Sequence, residues 1–181
     1  MIIDRNTEKG IFAMSTFEHV RAQDVDVIFN RIDKEWMLIS ATDGEHTNTM
    51  TASWGAMGIL WHKPVAICFI RPQRYTYTIT EKSDYLSLAF LGEEYRDALV
   101  FCGRNSGRDG DKFAQSGLTC AYTESGVPYP QEAKMVMVCR KMYADDIKKA
   151  SFIDKEMLKN YPIDDFHRVY ICEIEDVLIK K

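Results

Sequence analysis

The sequence predicts a mainly β protein whose antiparallel strands close into a barrel with peripheral helices. Segments with strand patterns outnumber helical ones, they follow one another closely, and the regular β-α-β alternation of a doubly wound sheet is missing. Closure also removes the exposed edges that so many strands would otherwise present. Because the 181 residues contain no repeat or linker, we expect a single domain over residues 16–181, preceded by a loosely ordered leader at residues 1–15.

The first half of the chain supplies a helix and a hairpin. Residues 22–32, AQDVDVIFNRI, predict a short amphipathic helix from four apolar residues at helical spacing, Val25, Ile28, Phe29 and Ile32. Residues 36–54 predict a strand, a turn at Asp43-Gly44 and a second strand. The apolar strand VAICFI follows and is stopped by Pro72. Residues 74–83, RYTYTITEKS, predict one or two helical turns, although their β-branched residues disfavour a helix.

The second half adds one clear helix and further strands. YLSLAF, residues 85–90, alternates between two faces as a strand does. Residues 92–103, GEEYRDALVFCG, predict a helix with acidic residues at its start, an apolar stripe, and a glycine that can end it. The next fourteen positions or so read as a loop with one helical turn. The remaining strands are LTCAY, KMVMVCRKMY and HRVYICEIEDVLI, with a short helix near DKEMLKNY.

The composition argues against several classes of protein. A net charge of −4 disfavours duplex nucleic acid as the main partner, because such domains carry a basic excess. The N-terminus has charges where a signal peptide needs an apolar core, and the uncharged stretch 46–62 is too rich in Thr, Asn, Ser and Gly to span a membrane. The 5 cysteines are scattered without a C-x-x-C pair, so we expect reduced thiols, no metal site and a cytoplasmic location.

The first segment that offers chemistry is TNTMTASW, residues 47–54. On a strand, Asn48, Met50, Ala52 and Trp54 would face one side, and Thr47, Thr49, Thr51 and Ser53 the other. The row of hydroxyls has two interpretations. It faces solvent, since threonine is a good strand former, or it lines a ligand that has several hydrogen-bonding groups.

Two further segments are rich in cations. RPQRYTYT, residues 71–78, is either a basic turn in water or a phosphate site built from two guanidinium groups, hydroxyls and the amides of a helix start. CGRNSGRDGDKF, residues 102–113, resembles a solvated loop and lacks the glycine patterns of nucleotide-binding loops. Patterns of metalloproteases and serine hydrolases are also missing. Nothing promotes a cysteine–histidine pair, so an enzyme with this sequence would take its chemistry from a bound cofactor.

In their order and spacing, NTMTASW, the strand that ends in RPQRYTYT, and CGRNSGRDGDKF followed by GLT resemble the flavin reductase-like FMN-binding split-barrel family, which includes the flavoredoxins. The resemblance runs from about residue 16 to the C-terminus. It implies an antiparallel Greek-key split β-barrel that forms a homodimer, with FMN held near the subunit interface.

The resemblance also implies which residues would hold FMN. The ring and the ribityl chain would lie against Asn48, Thr49, Met50, Thr51, Ser53 and Trp54, and the phosphate against Arg71, Arg74, Tyr75 and Thr76. Lys112 would reach the flavin or its tail, where its charge would favour the anionic reduced flavin and raise the flavin potential. Phe166 and His167 are candidates for the rim of this site.

Three functions follow as alternatives. The protein passes hydride from NAD(P)H to FMN and electrons onward, with no obligatory acid or base from the protein. Alternatively, it is a flavoredoxin-like carrier that binds FMN but depends on a redox partner protein for its electrons. The third alternative is a barrel that binds another phosphorylated ligand or serves only as an interaction module. The family motifs do not separate the first two.

Overall fold

The computed structural model describes residues 17–21 and 30–181, and ten strands and three α-helices lie within these ranges. The strands are β1 (Phe17–Val20), β2 (Met37–Thr42), β3 (Thr47–Ala52), β4 (Gly55–Leu60), β5 (Lys63–Ile70), β6 (Tyr85–Phe90), β7 (Cys120–Tyr122), β8 (Pro128–Pro130), β9 (Met135–Asp146) and β10 (Arg168–Lys180). The helices are α1 (Tyr75–Thr80), α2 (Arg96–Arg104) and α3 (Lys112–Gln115). Shorter helical turns lie at Arg31–Glu35, Glu93–Tyr95, Lys149–Ser151 and Lys155–Asn160.

One antiparallel sheet contains eight of these strands. Its order is β3-β2-β6-β9-β10-β5-β4, with β1 paired to β10, while β7 and β8 form a separate hairpin. The two ends of this order, β3 and β4, are consecutive in the chain and are joined by Ser53 and Trp54 alone. The sheet therefore curls until its two edges meet at these residues, and no pairing joins the edges within the described ranges. The predicted antiparallel Greek-key split barrel is confirmed.

Two apolar clusters pack on opposite faces of the sheet. One fills the barrel with side chains such as Ile39, Met50, Leu88 and Tyr170, and Ile79 of α1 closes it at one end. The other lies between the outer face and the helices and includes Leu38, Ala89, Leu99, Cys102 and Phe113. Because alternate residues of a strand face opposite sides, the strands shared by both clusters are buried on both faces.

The local predictions agree with the structure in most places. The hairpin is confirmed as β2 and β3, with Gly44 at φ 90° in the turn, and α1 and α2 form where helices are expected. The sequence did not predict strand β4. Its turn into β5 places Trp61 and His62 in the left-handed region, at φ 52° and 59°. Glycine or asparagine is usual there, so the sequence carries no turn signal at this point. The predicted leader and most of the 22–32 helix lie outside the described residues; Ile32 lies within them and is buried.

The structure also bears on cysteines, metals and membranes. All five cysteines are free thiols, and burial raises the pKa of Cys139 well above its ordinary value. Within residues 17–21 and 30–181, no three His, Cys, Asp or Glu side chains group as metal ligands. No helix in the same ranges has the length and apolar character needed to cross a membrane.

Candidate functional site

Two adjoining clefts open beside the split of the barrel. The polar cleft, of about 480 Å³, is lined by Met50, Arg71, Gln73, Arg74, Tyr75, Thr76, Arg104, Asn105, Ser106, Gly107 and Lys112. The aromatic cleft, of about 190 Å³, is lined by Met50, Thr51, Ala52, Ser53, Trp54, Phe69, Arg71, Arg74 and His167. Met50, Arg71 and Arg74 line both clefts, so the two form one continuous groove.

Two guanidinium groups lie side by side in the polar cleft. Arg74 Nη1 donates to the Gly103 carbonyl at 2.5 Å. Arg71 forms an ion pair with Asp165 and donates from Nη2 to the Asn160 carbonyl at 3.0 Å. Burial and the neighbouring Arg71 charge both lower the pKa of Arg74 below its ordinary value. An anion bound between the two groups would relieve this repulsion and accept charge-assisted hydrogen bonds.

A buried hydrogen bond connects β3 with the first turn of α1. Asn48 Nδ2 donates to Thr76 Oγ1 at 2.9 Å, and both residues are buried. Because this hydroxyl accepts from Asn48, its own proton stays available for an acceptor in the polar cleft. Gly107 allows the 103–111 loop to approach closely, since a Cβ atom at this position would overlap the side-chain amide of Asn48.

Lys112 is a buried cation at the floor of the polar cleft. Its side chain belongs to α3, whose start is fixed by Asp111 Oδ1 accepting from the Phe113 and Ala114 amides. Nζ donates to the carbonyls of Cys102 at 2.6 Å and Asn105 at 3.2 Å. An ammonium group has three donors, so one remains for a ligand. Burial lowers the pKa of Lys112 to about 8.

The aromatic cleft is bounded by Trp54 and His167. The two rings lie 5.2 Å apart between centroids, and His167 Nδ1 shares a hydrogen bond of 3.0 Å with the Tyr161 hydroxyl. Burial, followed by the nearby Arg71 charge, lowers the pKa of His167 to about 4. The imidazole is therefore neutral at pH 7. Trp54 is 44% exposed, so this cleft opens at the surface.

The structure brings most of the predicted site residues together. Those that line one of the clefts are Met50, Thr51, Ser53, Trp54, Arg71, Arg74, Tyr75, Thr76 and Lys112. Asn48 lies behind Thr76. Thr49 is fully buried away from both clefts, where its hydroxyl accepts from Ser40 at 2.9 Å. His167 borders the aromatic cleft, while Phe166 stacks on Tyr161 with 4.7 Å between ring centroids.

The sequence did not single out several lining residues. Ser106 and Gly107 belong to a loop that resembles an ordinary solvated turn, although they line the polar cleft. The one sequence feature that could have indicated a ligand there is the Ser-Gly pair between Arg104 and Arg108. Phe69 lies in an apolar strand, and nothing in the pattern separates it from the core.

The flavin reductase-like domain matches residues 29–181 of the chain. The chain belongs to this family. The resemblance seen in the three motifs is thereby confirmed. No protein of curated function matches the chain significantly in sequence.

Solved structures share the fold at low identity. An FMN-binding domain of a flavin reductase-like enzyme from Shewanella baltica is 14% identical, with a TM-score of 0.66 over 91% of this chain and 77% of that one. Flavoredoxin of Desulfovibrio vulgaris is 22% identical, with a TM-score of 0.63 over 81% and 69%. Nitrilotriacetate monooxygenase component B from Bacillus cereus is 14% identical, with a TM-score of 0.64 over 81% and 70%.

The residues of this flavin reductase-like protein fit FMN. The polar cleft offers the donors that a phosphate needs, from Arg71, Arg74, Thr76 and Ser106. The aromatic cleft offers apolar walls with a few hydroxyls, as a flat ring requires. The volume of 480 Å³ also lies within the range of about 300–1,000 Å³ that ligand pockets occupy.

Proposed function

We propose that this protein is an FMN-dependent oxidoreductase that takes hydride from NAD(P)H and passes electrons to an acceptor. The observation that carries the proposal is the pair Arg71 and Arg74, which lie with Thr76 in a polar cleft that continues into an aromatic one. In a family of flavin reductase-like domains, this arrangement suits a flat ring joined to a phosphate by a polar chain.

Each part of the groove has a role in this proposal. Arg71, Arg74 and Thr76 bind the phosphate, and Thr51 and Ser53, which line the aromatic cleft, lie beside the ribityl chain and the ring. The Thr51 hydroxyl itself donates to the Leu99 carbonyl of α2 at 2.5 Å. When bound, FMN accepts hydride and releases electrons. Trp54, Phe69 and Met50 orient the ring and exclude water from one side of it. Lys112 adds a positive charge, while the neutral His167 adds none.

A nicotinamide donor would have an apolar surface beside the ring. A third cleft, of about 430 Å³, shares Ser53, Trp54 and Phe69 with the aromatic cleft and is otherwise lined by Ile32, Asp33, Gly55 and Ile147. One carboxylate is the single charged side chain in this lining. A neutral, flat nicotinamide would bury apolar area here next to the flavin ring.

A carrier function is the second candidate. The exposure of Trp54, at 44%, leaves the edge of the aromatic cleft open, so a partner protein could approach a bound ring. As a flavoredoxin-like carrier, the protein would bind FMN equally well and would oxidise NAD(P)H negligibly on its own.

We also propose that the protein forms a homodimer through β4 and its turn. Ile59 and Trp61 are 68% and 54% exposed and lie on the chain just after Trp54, which borders the aromatic cleft. Contiguous exposed apolar surface commonly marks an interface, and these two residues lie only two positions apart. Light scattering after gel filtration should give a dimer for the native chain and a monomer for Ile59→Lys/Trp61→Lys. Ile153→Lys, at a residue 99% exposed between β9 and β10, should stay dimeric.

The visible spectrum of the protein with added FMN, before and after anaerobic NADH or NADPH, tests the main proposal. Bleaching of bound flavin at about 1 s⁻¹ or faster, the lower end of ordinary turnover, supports the reductase. A bound flavin that only dithionite bleaches supports the carrier. A protein that stays colourless would reject FMN and leave the phosphate-type cleft to another phosphorylated ligand.

A further inference from the structure

The connection between β9 and β10, residues 147–167, is fastened to Arg71. We call it the β9–β10 segment. Its base is closed by a hydrogen bond of 2.9 Å from the Ile147 amide to the His167 carbonyl. From this segment, Asp165 Oδ2 accepts from Arg71 Nη1, and the Asn160 carbonyl accepts from Nη2. The Tyr161 ring lies 5.3 Å from the centre of the same guanidinium.

These contacts fix the position of Arg71 and leave some of its N–H donors free of them. A guanidinium carries five N–H donors, and the segment takes one from each terminal nitrogen through these two bonds. The remaining donors belong to a side chain that lines both clefts. Side chains that are fixed before binding lose less conformational freedom when an anion arrives. The segment therefore prepares Arg71 to bind a phosphate.

Asp165 is the charged member of this arrangement. Its Oδ2 also accepts from Gln73 Nε2 at 2.8 Å, so one carboxylate oxygen holds two residues of the RPQR turn. Burial acts to raise the pKa of Asp165, but the hydrogen bonds from Arg71 and Gln73 outweigh it and keep the pKa below its ordinary value. The carboxylate also offsets the repulsion between the neighbouring Arg71 and Arg74 charges.

A competing role for Asp165 has the opposite consequence. If the carboxylate occupied the phosphate position on Arg71, its removal would tighten phosphate binding. The geometry favours positioning, because Asp165 engages Arg71 through Oδ2 alone and not as a bidentate pair. Its other oxygen, Oδ1, is buried without a hydrogen-bond partner among the described residues. Nε and the second hydrogen of each terminal nitrogen take no part in these two bonds, so donors of the guanidinium remain for a phosphate.

We propose that Asp165 is a positioning residue that acts through Arg71 and sets the preference of the site for FMN over riboflavin, the same flavin without its phosphate. The inference rests on the proposed function, since it requires the FMN phosphate to meet Arg71. It adds a residue from the β9–β10 segment to the specificity of the cofactor site.

Flavin fluorescence titrations of the full-length protein with FMN and with riboflavin test the inference. Asp165→Ala should weaken FMN binding about tenfold, the effect of losing one charge-assisted contact, and should leave riboflavin binding unchanged. Asp165→Asn keeps an oxygen acceptor for Arg71 and Gln73 and should lose about threefold. Asp164→Asn is the matched control. It removes the adjacent carboxylate, which pairs with Lys149 at 2.9 Å and does not contact Arg71, and should change neither affinity.

A double variant separates action through Arg71 from an independent effect. Arg71→Ala/Asp165→Ala should bind FMN as Arg71→Ala does, because the inference has Asp165 act on the phosphate through Arg71 and not through Gln73, the other side chain that it holds. Additive losses would overturn the inference, as would unchanged or tighter FMN binding by Asp165→Ala. Equal losses for FMN and riboflavin would assign Asp165 a purely structural role and also overturn it. If the native protein binds no FMN, the proposed function itself fails; if it binds FMN with unaltered preference in the Asp165 variants, this inference alone fails.

Discussion

The side-chain amide of Asn48 donates a hydrogen bond of 2.9 Å to the hydroxyl of Thr76. This bond joins the end of the hairpin to the helix that follows the RPQR turn, although the two residues are 28 positions apart. Gly107 approaches the same amide from the third segment. Three stretches that are separate in the chain thus meet at one buried contact, and the polar cleft lies above it.

Gly107→Ala should disturb this junction. The added Cβ would overlap the Asn48 amide, so the amide must move and release Thr76. We expect FMN binding to weaken about tenfold and the protein to lose roughly 1–3 kcal/mol of unfolding free energy, as overpacked sites do. Titration with FMN and urea unfolding measure both. Gly126→Ala is the control for FMN binding, because a Cβ there meets no atom within 4 Å and the residue lines neither cleft. Its φ of 79° strains an alanine, so only the FMN affinities are compared; an equal loss of affinity at the two glycines would contradict the account.

Arg71→Ala and Arg74→Ala should each weaken FMN binding by about ten- to a hundredfold, the range for hydrogen bonds to charged groups. The double variant should show no binding by equilibrium dialysis. Arg140→Ala removes a cation that pairs with Glu173 and Glu175 outside the groove, and it should bind FMN normally. Full retention of FMN by the double variant would refute the phosphate assignment.

Lys112 should make FMN binding depend on pH. Since burial places its pKa near 8, the ammonium is mostly charged at pH 7 and mostly neutral at pH 9, so binding at pH 9 requires the uptake of a proton. The FMN phosphate has its second pKa near 6 and is doubly ionised at both values. We expect about a tenfold loss of affinity between pH 7 and pH 9. Lys112→Met should bind more weakly at pH 7 and show a flat profile; an unchanged slope would assign the pH dependence to another group.

The charge of Lys112 should also act on the flavin potential. Lys112 lines the polar cleft, which continues into the aromatic cleft, and a cation in this groove stabilises the anionic reduced form more than the neutral oxidised form. We expect Lys112→Ala to lower the midpoint potential by about 30 mV, which corresponds to a tenfold change for a two-electron couple. Spectroelectrochemistry measures the potential, and Lys82→Ala, at an exposed cation beside Asp43, is the control. An unchanged potential in Lys112→Ala would remove this role.

His167 should make the folded state sensitive to acid. Its pKa is about 4 in the folded protein and about 6.5 when unfolded, so the unfolded state binds more protons between these values. Stability therefore falls as pH drops from 6.5 toward 4, by about 2 kcal/mol between pH 7 and pH 5. Urea unfolding of the native chain and of His167→Gln at both pH values isolates this contribution. The variant should be less stable at pH 7 and lose less on acidification; parallel losses would contradict the assignment.

Sequence patterns were sufficient to predict those elements whose formation depends on residues close together in the chain. The hairpin follows from the Asp43-Gly44 turn, and α2 from its stripe of Ala98, Leu99 and Cys102, which are buried as predicted. The alternation of β3 was sufficient to place Thr49 opposite Asn48. It did not show that the face of Thr49 is covered, because covering requires knowing that Ser40 and α2 lie there.

Sequence patterns could not predict the contacts of charged groups whose partners lie far along the chain. Arg71 and Arg74 stood out as cations after a buried strand, but Asp165 lies 94 positions beyond Arg71 in a stretch with no signal of its own. His167 entered only as a candidate for the rim. Its pKa depends on burial beside Trp54 and Arg71, which the barrel alone brings about.

The closure of the β9–β10 segment has a consequence for how this fold can change over time. Asp146 and Arg168 are paired residues at the end of the β9–β10 ladder. The two strands therefore pair along their full length whatever the number of residues in the segment that connects them. Insertions, deletions or exchange of residues 147–167 would leave the strand register untouched. Evolution can therefore alter what approaches the ring without changing the part of the chain that carries Arg71 and Arg74. A replacement segment would have to supply a partner for Arg71 in place of Asp165.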